Sequence, residues 1–117
     1  PTSGIFGLHF WSETDGVVLG GDYKNNKSKQ MNFSITADGG KTWKAMEIPP
    51  NGLKESAHLV NNKLLVVGTS GTSTSTDKGK NWQALDTESF HVVDCAGKNC
   101  YAIGANGNLG WMKLTRQ

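Results

Sequence analysis

Arginine is nearly missing from this sequence: Arg116, one residue from the end, is the single arginine among 12 basic residues. Phosphate and carboxylate recognition usually recruits arginine forks, so the scarcity argues against such a site. Net charge is small, +2 at neutral pH, too weak to imply nucleic acid or an anionic membrane as partner. No stretch approaches the ~18 consecutive apolar residues of a membrane-spanning helix. The two cysteines cannot hold zinc alone, and their spacing is not a redox motif. The chain opens at Pro1 with neither methionine nor a signal-peptide pattern, which reads as a mature terminus or a boundary within a longer protein.

What the sequence has in excess is glycine, 15 residues against a hydrophobic fraction of 36%. That pairing suits short strands joined by tight turns, where glycine supplies positive φ. An internal repeat dominates. Thr36-Ala37-Asp38-Gly39-Gly40-Lys41-Thr42-Trp43 and Ser75-Thr76-Asp77-Lys78-Gly79-Lys80-Asn81-Trp82 both read Ser/Thr-x-Asp-x-Gly-Lys-x-Trp, 39 residues apart at every position. A second repeat runs beside it: Leu19-Gly20, Val67-Gly68 and Ile103-Gly104 each close an apolar run. The polar stretch from Lys24 to Gln30 reads as a loop inserted in the first unit.

Each unit resolves into strands bounded by turn residues. The first has strands from Ile5 to Ser12, Val17 to Tyr23, Met31 to Ala37 and Lys41 to Ile48. The second has Ser56 to Val60, Lys63 to Thr69, Thr72 to Thr76 and Asn81 to Leu85. The third has Phe90 to Ala96, Cys100 to Ala105 and Leu109 to Leu114, and no fourth strand. The predicted fold is all-β: a partial β-propeller of about three four-stranded antiparallel blades, over residues 5–50, 54–86 and an incomplete 89–115. Three blades are fewer than the usual four to eight. The expectation is therefore a C-terminal fragment of a longer propeller, or a partial ring that associates with copies of itself.

The octet has a physical reading. Asp38 and Asp77 stand where a hairpin reverses and can accept N–H groups of the turn. Gly40 and Gly79 relieve backbone angles that a Cβ would penalise. Thr36, Ser75, Thr42 and Asn81 supply further polar groups, and Trp43 and Trp82 can bury a ring beneath the turn. These residues resemble the Asp-box, or BNR, repeats of the sialidase-like superfamily, and most closely those of photosystem II assembly factor-like bacterial propellers. The resemblance covers nearly the whole chain and implies a fold in which the box is a structural staple lying away from any active centre.

The same resemblance implies that sialidase chemistry needs an arginine cluster and a Tyr–Glu pair, which Tyr23, Tyr101 and one arginine do not supply. No catalytic, cofactor-binding or metal-binding residue is assigned. Asp22 and Asp94 are the acids considered for a channel-side role, and His9, His58 and His91 all fall in first strands. Their distances to Gly20, Gly68 and Gly104 are 11, 10 and 13 residues, so a shared histidine register is not expected. Trp11 reads as core or channel packing. Cys95 and Cys100 flank a hairpin turn and are expected to face each other in a disulfide, which points to a secreted or periplasmic protein; the alternative is a pair of reduced, buried thiols in a cytosolic protein. Asn26-Lys27-Ser28 and Asn32-Phe33-Ser34 fit the glycosylation pattern. The leading function is a non-catalytic scaffold that binds protein. The alternatives are a piece of a sialidase-like or other glycoside hydrolase, and a lectin-like glycan binder, which would show an exposed Trp or Tyr shelf.

Overall fold

The computed structural model describes residues 3–22, 24–25, 32–47 and 50–113. Tyr23, the Asn26-Lys27-Ser28 triplet with most of the lysine-rich loop, and the expected strand ends at Met31, Ile48 and Leu114 lie outside them. The described chain forms three antiparallel sheets in succession. The first holds β1 (Ser3–Phe10), β2 (Gly16–Asp22), β3 (Phe33–Thr36) and β4 (Lys44–Ala45). The second holds β5 (Ser56–Val60), β6 (Lys63–Gly68), β7 (Gly71–Ser75) and β8 (Gln83–Asp86). The third holds β9 (Val92–Ala96), β10 (Asn99–Ile103) and β11 (Leu109–Lys113). A single 3₁₀ turn, Ala105–Gly107, precedes β11.

Strands follow one another in spatial order within each sheet. The sheets stack face to face, so each has a front face turned toward the preceding sheet and a rear face turned toward the next. Period-two alternation decides which residue goes where. Val17, Leu19 and Phe33 on the rear of the first sheet meet Ala57, Leu64 and Val66 on the front of the second. Val60, Leu65 and Val67 on the rear of the second meet Phe90, Val93, Cys100 and Ala102 on the front of the third. β6 is therefore apolar on both faces, and Leu64, Leu65, Val66 and Val67 are all buried.

The glycine that ends each second strand has a steric reason. A Cβ on Gly68 would stand 2.2 Å from the Leu53 carbonyl oxygen, and one on Gly104 would stand 2.3 Å from that of Ser89. The segment entering each sheet crosses the second strand at this point, and only glycine lets the two backbones approach so closely. Behind Gly68, Lys54 is fully buried. Its ammonium donates to Ser70 Oγ at 3.0 Å and to the Gly71 carbonyl at 2.9 Å. Burial pushes its pKa down to about 8.

The fourth strands are shorter than expected: β4 covers Lys44–Ala45 and β8 begins at Gln83. Residues 41–43 and 80–82 belong to the turn instead. The two turn tryptophans also differ. Trp82 is half-buried and meets Phe33 of the first sheet edge to face, centroids 5.0 Å apart. A Cβ on Gly79 would stand 2.7 Å from the Phe33 ring. Trp43 is not buried as its position suggested. It remains 39% exposed and touches Phe10 of its own sheet, because among the described residues no sheet covers that face.

Phe33 and Trp82 therefore join the first two sheets as a coupled pair. Phe33→Ala and Trp82→Ala should each cost about 3 kcal/mol, with a coupling of ~1 kcal/mol between them in a double-mutant cycle read by urea unfolding. Strict additivity would contradict the contact.

Candidate functional site

The two repeated turns are built alike. In the first, the Thr36 hydroxyl donates to Asp38 Oδ1 at 2.8 Å and accepts the Gly40 N–H at 3.0 Å. Asp38 also accepts the N–H of Thr42 at 2.9 Å, together with its hydroxyl. In the second, Ser75 donates to Asp77 at 2.7 Å and accepts the Gly79 N–H at 2.8 Å. Asp77 takes the N–H and the side-chain amide of Asn81, both at 2.9 Å. These donors all favour the charged carboxylate. The Thr42 hydroxyl leads in holding Asp38 at about 2, and the Ser75 hydroxyl in holding Asp77 at about 2. The turn needs a left-handed residue at its centre, which the first repeat supplies as Gly39 at φ 75° and the second as Lys78 at φ 56°. Every acceptor lone pair used here serves the turn's own backbone and side chains.

A second group lies on the inner strands. β1, β5 and β9 are edge strands of their sheets. His9, His58 and Asp94 occupy one cross-strand row, paired respectively with Val17, Leu65 and Tyr101. The His9 and His58 rings stack with centroids 4.6 Å apart, and His58 Nδ1 lies 3.6 Å from the Asp94 carboxylate. The histidine register that counting back from glycine denied thus exists for His9 and His58. Phe10 pairs with Gly16 across five intervening residues, whereas Leu59 pairs with Leu64 across four. That longer first hairpin produced the mismatch of one. His91 stands outside the row and pairs with Glu55 at 3.0 Å.

The row does structural work. His9 Nε2 accepts the Leu59 N–H at 3.1 Å, satisfying a backbone donor on the free edge of β5. Ser56 does the same for Val93 at 3.0 Å. Burial, and then the neighbouring His58, push the His9 pKa down, which suits an imidazole acting as acceptor. Trp11 packs half-buried against the core between the first two sheets, 6.2 Å from the His9 ring. Asp22 lies at the far end of β2, where it accepts the Lys24 N–H at 3.0 Å. Cys95 and Cys100 are paired in register and joined by a disulfide. Among the described residues no group of three His, Cys, Asp or Glu side chains is placed to hold a metal ion.

The third feature was not anticipated from the sequence. The rear face of the third sheet is open and apolar: Leu109 is 64% and Trp111 62% exposed, beside Val92, Tyr101 and Ile103. The front face of the first sheet is open as well, with Leu8 66% exposed. A legible signal existed, since β10 carries Cys100 and Ala102 on one face and Tyr101 and Ile103 on the other, the pattern of a strand covered on both sides. Between the second and third sheets lies a groove with a cavity of about 220 Å³. Leu65, Val67, Phe90 and Met112 line it, and Asp86 and Glu88 stand along one wall.

No protein-family model matches this chain, and no curated protein matches its sequence. Solved structures do. YCF48 bound to D1 peptide superposes with a TM-score of 0.70 at 19% identity, over 99% of this chain and 41% of that one. YCF48 from Cyanidioschyzon merolae gives 0.68 at 21% identity, over 99% and 38%. The fold is that of a partial β-propeller. The chain spans about two fifths of the length of these YCF48 structures. The computationally designed Ika4 protein gives 0.60 at 10% identity, and there the match covers 98% of this chain and 94% of the designed one.

The two turn carboxylates make stability depend on acid. Their folded-state pKa values lie near 2, below the ordinary 3.8. Their contribution is complete above the ordinary value and is lost as pH falls through the folded one. Thermal melts should show the wild type losing stability across that window, and Asp38→Asn combined with Asp77→Asn should flatten the loss. An unchanged acid slope in the double variant would refute this origin.

Proposed function

We propose that this chain is a non-catalytic, protein-binding scaffold of the propeller type, and that it takes an extended polypeptide segment in the groove beside β11. One observation carries the reading. Among the described residues β11 pairs with β10 alone, and a groove of mixed apolar and polar lining lies against it, with acidic side chains on its wall. An exposed strand edge offers main-chain hydrogen bonds to an added strand, and flanking pockets select its side chains. Phe90 and Met112 favour apolar residues, and Asp86 and Glu88 favour a basic one. The likeness to YCF48, solved with D1 peptide bound, supports a peptide as ligand class.

In this reading the two repeated turns are Asp-boxes that staple the fold, in keeping with the sialidase-like superfamily that the octets resemble. The Cys95–Cys100 disulfide supports an oxidising, extracytoplasmic setting. A glycan-binding reading has one observation in its favour. Tyr101 and Trp111 are opposite each other in register and exposed, with Asp94 in the same row, which gives the aromatic shelf of a sugar site.

Fluorescence anisotropy with short extended peptides separates these. Apolar peptides carrying one lysine or arginine should bind better than acidic ones, and Glu88→Lys should weaken them about tenfold at low salt. Equal binding of both peptide classes, or quenching of Trp111 by oligosaccharides alone, would overturn the peptide reading.

A further inference from the structure

We propose that two copies of this chain close a six-sheet ring, each packing the rear of its third sheet on the front of the other's first sheet. The two open faces are not unrelated patches. Each repeats, position for position, a face that is covered inside the chain. On the front of the first sheet, the row Leu8, Val18 and Ser34 occupies the place of Ala57, Val66 and Ser73 in the second. Trp43 occupies the place of Trp82, 39 residues on. On the rear of the third sheet, Leu109 pairs with Ile103 as Phe33 pairs with Leu19 in the first. Inside the chain Phe33 is the residue that seats against Trp82 and Gly79. Leu109 of one copy is therefore the counterpart for Trp43 and Gly40 of the other.

Charge agrees with this pairing. The inner row runs His9, His58, Asp94, and its last side chain, Asp94, is 87% exposed. Seating the next copy's first sheet there brings a His9 ring to the Asp94 carboxylate, and with Nε2 accepting from Leu59 the ring's Nδ1–H is left to donate to that acid. Closure also limits the number of copies. The three sheets of the described residues are too few for a ring and nine exceed the usual four to eight, whereas two copies of them give six. A head-to-tail contact that closes after two copies is a two-fold dimer. None of this depends on what the groove beside β11 binds.

The test is the mass of the 117-residue chain in solution, by light scattering and sedimentation across the micromolar range. The expected result is twice 12.6 kDa. Leu8→Lys and Leu109→Glu, both at exposed positions outside the core, should each give a folded monomer by circular dichroism, with dimerisation weakened about a hundredfold. Mixed in equal amounts the two variants should recover a dimer. The mixed pair keeps one unaltered interface and sets opposite charges across the other. Trp111→Glu, on the same rear face, replaces Leu109→Glu if that variant does not fold. A wild type at monomer mass throughout would overturn the proposal and leave further sheets of a longer polypeptide as the cover for these faces. Folded variants that stay dimeric, or a mixture that stays monomeric, would overturn it equally.

Discussion

Phe33, reaching from the rear of the first sheet to the Trp82 ring of the second, shows on a small scale the constraint that organises the molecule. A sheet of three or four short strands cannot bury its own apolar face, so each face must be covered by the next sheet. The turns, the glycines and the inner-edge hydrogen bonds all serve that stacking. Asp77 holds its turn so that Trp82 projects toward the neighbouring sheet, and Asp38 holds the equivalent turn under Trp43. Gly68 and Gly104 let the entering segment lie close enough for the next sheet to begin. His9 and Ser56 satisfy the free edges of β5 and β9 where the sheets converge. The interaction is hydrophobic in magnitude and polar in its specification.

Much of this was legible because repetition makes sequence speak twice. Two octets at one offset carried the hairpins, and three apolar-Gly steps carried the second strands. The cysteines facing across a short turn carried the disulfide. Where the reading failed, it failed on geometry that no single residue encodes. Trp43 looks like Trp82 in sequence, yet its burial depends on a preceding sheet and not on its own neighbours. The row of His9, His58 and Asp94 was hidden by one extra residue in the first hairpin, since counting from a downstream glycine carries that residue into the comparison. Counting from the cross-strand pairs removes it.

The candidate sites were less visible than the fold for a related reason. Propeller repeats specify scaffold positions strongly and leave ligand positions to residues that do not repeat. Asp86, Glu88 and Phe90 lie in and after β8, where the second and third units differ most. Met112 and Trp111 lie on a strand with no octet before it. The groove arises from the meeting of these non-repeating parts. Lys54 has the same origin: it lies on the segment that crosses Gly68, and nothing in its immediate sequence marks it as interior.

If mutual coverage of sheet faces is what holds the chain together, stability should be greatest where coverage is complete within one polypeptide. Native-state hydrogen exchange on the monomeric Leu8→Lys variant resolves this strand by strand. The slowest amides should be those of Leu64, Leu65, Val66 and Val67 in β6, whose side chains are buried on both faces. Those of β10 and β11, with one face open, should exchange faster. Slowest exchange in the third sheet, or protection spread evenly over all three, would contradict the account.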